Sequence, residues 1–190
     1  MDDYASAINE FVIALGLNNV CLVGHSMGAA IALTAALERY SWLAGIAMIG
    51  GASKMNVNDA ILDGLQNSFE QTIDNIIKYS WYKDTGSFFK QKAKQRMLEA
   101  GSKVVHDDFY ACSRFDLTDK LAEIDTPALV IASDYDRMVP LNVSQEMAGQ
   151  LTGSIFIGLE NCGHFQHIEQ TGKVATEISS FLLHLRELGS

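Results

Sequence analysis

The chain has 190 residues, 48% of them hydrophobic and 19% charged, with 2 prolines and 15 glycines. That length and mix suit one compact globular domain and exclude a disordered or collagen-like chain. The formal net charge of −9, with 14 lysines and arginines scattered along the chain, excludes a clustered basic surface, so no nucleic-acid partner is expected. Three cysteines, Cys21, Cys112 and Cys162, cannot all pair within one chain and lack CxxC spacing. This sets aside a disulfide framework and a zinc site and points to a reducing cytoplasm. The opening residues MDDYASAINEF lack the basic start and apolar centre of a signal peptide, and no apolar run approaches the roughly 20 residues of a membrane span.

In chain order, Tyr4, Ile8, Phe11, Val12 and Leu15 repeat with helical spacing and Gly16 supplies a stop, so the chain opens on an amphipathic helix. Val20 to Val23 reads as a short buried strand, Gly24 to Gly28 as a tight turn, and Ala29 to Leu37 as a helix rich in Ala and Leu. Leu43 to Ile49 reads as a second strand, completing a βαβ unit with a right-handed crossover. From about 53 to 122 the pattern turns helical and aromatic, with no convincing strand. Two more strands follow at Ala128 to Ala132 and Ser154 to Ile157, with a helix near Ser144 to Leu151 between them. Val174, Ile178, Phe181, Leu182 and Leu185 close the chain on a helix. The expected fold is α/β: a mostly parallel sheet of about four strands in a single domain over 1–190, carrying a helical insertion at about 53–122.

The chemistry is expected at GHSMG, residues 24–28, set between a strand and a helix. There a sharp turn projects a hydroxyl, that of Ser26, above the sheet, and side chains at Gly24 or Gly28 would crowd it. The backbone N–H of Met27 would face a developing oxyanion at the start of the helix. A serine nucleophile needs a base, and the base needs a partner that fixes its tautomer. Both candidates lie downstream at the carboxyl edge of the sheet: Asp136 in ASDYDRMVP, preferred to Asp134, and His164 in NCGHFQHIE, with His167 as its neighbour. His25 reads as a turn residue rather than a second base. Cys162 reads as a buried thiol, and the run His106, Asp107, Asp108 does not form a metal shell, because adjacent helical residues point different ways. No metal or cofactor is expected.

These motifs resemble those of a capped, esterase-like α/β-hydrolase. GHSMG is similar to the family's nucleophile elbow, DRMVP to its acid loop and GHFQHIE to its histidine loop, and the aromatic stretch stands where the family carries a helical cap. FDLTDKLAEIDTPALVI is similar to the family's lead-in to the acid strand. Ala29 stands where many relatives have another glycine, and Thr171 where many have proline. The resemblance implies a serine hydrolase of small apolar esters or related acyl compounds, with Ser26, Asp136 and His164 catalytic and Met27 N–H in the oxyanion hole. It also implies that the first strands of the family's sheet, with a His-Gly loop that supplies a second oxyanion donor, have no counterpart in this sequence. The alternative expectation is therefore a catalytically impaired fragment or a ligand-binding remnant. With no neighbour on one side, the strand Val20 to Val23 would be a free edge, and pairing of two copies through it, a homodimer, is expected.

Overall fold

The computed structural model describes residues 1–188. Helix α1 (Asp2–Ala14) leads to strand β1 (Val20–His25), helix α2 (Met27–Leu37) and strand β2 (Leu43–Ile49). Four helices follow, α3 (Asp59–Asn67), α4 (Phe69–Ser80), α5 (Ser87–Ala100) and α6 (Ser102–Ser113), and a 3-10 turn at Thr118–Glu123. The chain then forms β3 (Ala128–Ser133), α7 (Leu141–Gln150), β4 (Ile155–Leu159), the single turn α8 (Gln166–Glu169) and α9 (Thr171–Leu188). The four strands pair in parallel in the order β1-β2-β3-β4, which places β1 at an edge, with Val23 half exposed.

Alternation along the central strands divides the core between the two faces of the sheet. Ile46 and Met48 of β2 and Ala128 and Val130 of β3 pack against α2 and α7, whereas Ala47, Ile49, Leu129 and Ile131 pack against Val174 and Phe181 of α9. Both faces are covered, so β2 and β3 read in the sequence as unbroken apolar runs. Helix α2 is buried from Ala29 through Ala36, and its alanines let the backbone lie close against the sheet. Leu33 is fully buried there, and its truncation to Ala would cost ~2–5 kcal/mol.

The inserted helices α3 to α6 have a core of their own, built on Leu65, Ile73, Ile76, Ile77, Trp81 and Val105. Their neck is pinched by an antiparallel bridge between Lys54 and Asp116, flanked by Leu117 N–H donating to Ser53 C=O at 2.8 Å. The Lys54–Asp116 ion pair at 2.8 Å is half exposed, so solvent and salt screen it.

Two expectations need correction. Helix α1 forms, but only part of the stripe named from its apolar residues faces the core: Val12 is buried and Ile8 packs beside α2, whereas Phe11 and Leu15 are 62% and 57% exposed, and Ala5, outside the stripe, is buried. Ala5 is small enough for α1 to close on Ile31 and Ala35 of α2, and that contact sets the helix rotation. Strand β4 runs to Leu159, beyond the Ile157 expected, because Gly158 interrupts the apolar run without breaking the pairing with Ala132.

Candidate active site

Strand β1 ends at His25 and α2 begins at Met27, so Ser26 makes the whole turn. Its backbone sits at φ 53° and ψ −115°, a left-handed conformation that L-residues avoid and that costs of order 1–3 kcal/mol. The turn is so tight that a Cβ on Gly24 would lie 2.0 Å from the carbonyl oxygen of Gly28, so position 24 admits glycine alone. Gly28 differs from expectation: a Cβ there would meet nothing within 4 Å among the described residues, because its α-carbon faces open space. Ala29 is accommodated by Gly51, where a Cβ would approach the Ala29 methyl to 2.6 Å. Ser26 precedes α2 without capping it, so its hydroxyl is not spent on the helix end. The N–H of Met27 is one of the first four in the helix, which have no acceptor within it, and it stands at the positive end of the helix dipole.

The loop after β3 carries Asp136, whose side chain is fully buried. Oδ1 accepts the N–H groups of Met138 at 2.9 Å and Val139 at 2.8 Å, and Oδ2 accepts His164 Nδ1–H at 2.8 Å. This fixes the proton of His164 on Nδ1 and leaves Nε2 as the basic nitrogen. His164 is 5% exposed, and its N–H donates to Ser80 C=O at 2.7 Å. Asp134 turns outward and is exposed; its Oδ1 accepts Cys162 N–H at 3.3 Å rather than the imidazole. His167 faces His25, with ring centroids 4.5 Å apart, and burial lowers its pKa.

Ser26, Met27 and His164 line one cavity of about 370 Å³ roofed by the inserted helices. Its walls are mostly apolar: Met55, Val57, Ile61, Ile76, Met97 and Phe109 above, with Met138, Val139, Val143 and Phe165 at the side. His106 donates to Asp107 and Asp108 accepts the Tyr4 hydroxyl at 2.6 Å, so this acidic run is engaged in helix contacts. The Tyr4 phenol is pushed up to about 12 by that hydrogen bond and by burial.

Residues 1–177 match the model of the alpha/beta hydrolase family. The chain belongs to that family. Among curated members, it is 26% identical over 197 residues to the 2-hydroxy-6-oxononadienedioate/2-hydroxy-6-oxononatrienedioate hydrolase 2 of Pseudomonas putida, covering 95% of this chain and 68% of that protein. It is also 26% identical over 219 residues to a monoacylglycerol lipase of Xenopus laevis, covering 98% of this chain and 63% of that one. The fold superposes on an esterase from Exiguobacterium antarcticum with a TM-score of 0.87 at 23% identity, over 94% of this chain and 72% of that one.

Within this alpha/beta hydrolase the structure gives a supporting role to three residues that the sequence reading did not assign to the site. His25 is half-buried and donates from Nε2 to His164 C=O at 2.7 Å. Burial first, then the neighbouring His164 and His167, lowers its pKa to about 3, so it is a neutral strut between elbow and histidine loop. Gln166 is fully buried, and its amide donates to Asp136 Oδ2 at 3.1 Å and to Ser133 Oγ at 3.0 Å. Ser133 in turn donates to Gly163 C=O at 2.7 Å. The carboxylate fixes which way the Gln166 amide points, because an ionised Asp136 accepts and cannot donate. No helix among the described residues is long and apolar enough to cross a membrane.

Proposed function

We propose that this alpha/beta hydrolase is a serine hydrolase of small apolar esters or related acyl compounds, acting through an acyl-enzyme on Ser26. The observation that carries the reading is the buried 2.8 Å bond from His164 Nδ1 to Asp136, beside a cavity that Ser26 shares. In the proposed first step Ser26 Oγ attacks the ester carbonyl carbon and its proton passes to His164 Nε2. Asp136 holds the imidazole in the required tautomer and stabilises the imidazolium. Met27 N–H holds the oxyanion. The intermediate then collapses by breaking the bond to the alkoxy group, which leaves as the alcohol with the proton from His164. Water, deprotonated by His164, attacks the acyl-enzyme, releases the acid and restores Ser26.

The size and lining of the cavity support the substrate class. About 370 Å³ lies near the lower end of the range of small-molecule sites, and apolar walls favour an uncharged acyl or alkoxy group. Four methionines, Met27, Met55, Met97 and Met138, make those walls adaptable in shape. The test is steady-state hydrolysis of p-nitrophenyl acetate, butyrate and octanoate by the wild type and Ser26→Ala. Turnover that falls at least ~1000-fold in Ser26→Ala is expected. A wild type that binds these esters without turning them over would instead indicate a ligand-binding protein.

Two further proposals accompany this reading. Two copies pair through β1, supported by its place at the edge of the sheet; a single species of monomer mass in sedimentation equilibrium at micromolar concentration would refute it. The protein resides in a reducing cytoplasm, supported by three free thiols, of which Cys21 and Cys112 are pushed up by burial to about 11 and about 12.

A further inference from the structure

The short turn α8 follows directly on the histidine loop, and its last residue, Glu169, reaches two parts of the molecule at once. One carboxylate oxygen, Oε1, accepts Tyr82 N–H at 2.9 Å and the Thr85 hydroxyl at 3.0 Å, both in the turn that joins α4 to α5 of the inserted helices. The other, Oε2, accepts the N–H of Gly163, the residue before the candidate base. All three partners are neutral donors, and an ionised carboxylate is the side chain that can accept at both ends simultaneously.

The two segments so joined are in close contact for other reasons. A Cβ on Gly163 would lie 2.5 Å from Tyr82 N, His164 N–H donates to Ser80 C=O at 2.7 Å, and the Trp81 and Phe165 rings stack at 4.3 Å. Glu169 is the side chain that hydrogen-bonds the backbone on both sides of this contact, and His164 follows Gly163 with no intervening residue. We infer that Glu169 is a positioning residue for His164, clamping the base loop to the α4–α5 turn so that the imidazole meets Asp136 and Ser26 only when the cap is seated. The inference rests on the proposed hydrolase reading for its consequences in turnover, but the placement of His164 is measurable without it.

Glu169→Gln keeps the shape and reverses the hydrogen-bonding sense at one oxygen, so an amide N–H must face either Gly163 N–H or Tyr82 N–H. The expected result is a kcat for p-nitrophenyl butyrate lowered about tenfold, since displacing a catalytic group by a fraction of an ångström has effects of this order. KM should stay within about threefold, because Tyr82 and Thr85 do not line the cavity. In the same protein, ¹H NMR should show the Nδ1–H resonance of His164 moved upfield and broadened as its bond to Asp136 loosens. Thr85→Val changes no charge and removes one donor; it should lower kcat about twofold and move the His164 Nδ1–H resonance in the same direction. It also serves if Glu169→Gln does not fold. A folded variant with kcat and His164 Nδ1–H resonance both as in the wild type overturns the inference. An inert wild type refutes the hydrolase reading instead, and the NMR arm then decides the role of Glu169 alone.

Discussion

The two halves of the site are built by different means. The Ser26 half is held by backbone: a left-handed serine, a glycine that leaves no room for a Cβ, and the first turn of α2. The His164–Asp136 half is held by side chains and N–H groups from five separate positions, Ser133, Met138, Val139, Gln166 and His25. A backbone-built half should fail completely or not at all, whereas a network should fail by degrees.

The largest effect expected is at Gly24. A methyl there meets the Gly28 carbonyl at 2.0 Å, which no rotamer relieves, so Gly24→Ala should unfold the protein or lower its urea midpoint by the equivalent of several kcal/mol. Gly28→Ala, facing open space, should leave the midpoint within the error of the urea titration. If the two variants behave alike, the elbow is not the rigid part described.

On the network side, Asp136→Asn should lower kcat by up to ~10⁴-fold with little loss of stability, because the amide can favour the wrong tautomer of His164. Asp134→Asn should leave kcat within about twofold, since Asp134 accepts from Cys162 N–H rather than from the imidazole. Equal losses in both would break the assignment of the acid.

A pH series separates the strut from the base. The pKa of His25 falls from 6.5 to about 3 on folding, so the unfolded chain binds the proton first as pH drops. The stability that this neutral ring contributes is complete above about 6.5 and is lost as pH falls toward about 3. Urea midpoints should fall across this window, and His25→Gln should make the fall shallower. The smallest loss expected within the network is at Gln166: Gln166→Leu removes one donor from Asp136 and should lower kcat only ~3–10-fold.

The sequence made some of this legible and hid the rest for physical reasons. Strand β2 appears as Leu43 to Ile49 in both, because a strand buried on both faces is a continuous apolar run. The rotation of α1 was hidden, since apolar periodicity weights Phe11 and Leu15 by hydrophobicity whereas the packing selects Ala5 by size. Ser26, Asp136 and His164 stand in local motifs, so nearby residues alone draw attention to them. His25, Gln166 and Glu169 act through partners 139, 30 and 87 residues away, and such contacts leave no local pattern. The four-residue turn α8 is too short for helical spacing, and its buried Gln166 runs against any apolar rule. A polar residue two positions after a candidate base is the one signal that could have found it.

The central claim is that Ser26 is the nucleophile that His164 and Asp136 serve. Its most direct test is intact-mass spectrometry of the protein after treatment with a fluorophosphonate, followed by peptide mapping. The wild type should gain one adduct, located on Ser26, and His164→Ala and Asp136→Asn should label far more slowly. No adduct, or an adduct at another residue that persists in Ser26→Ala, would contradict the account.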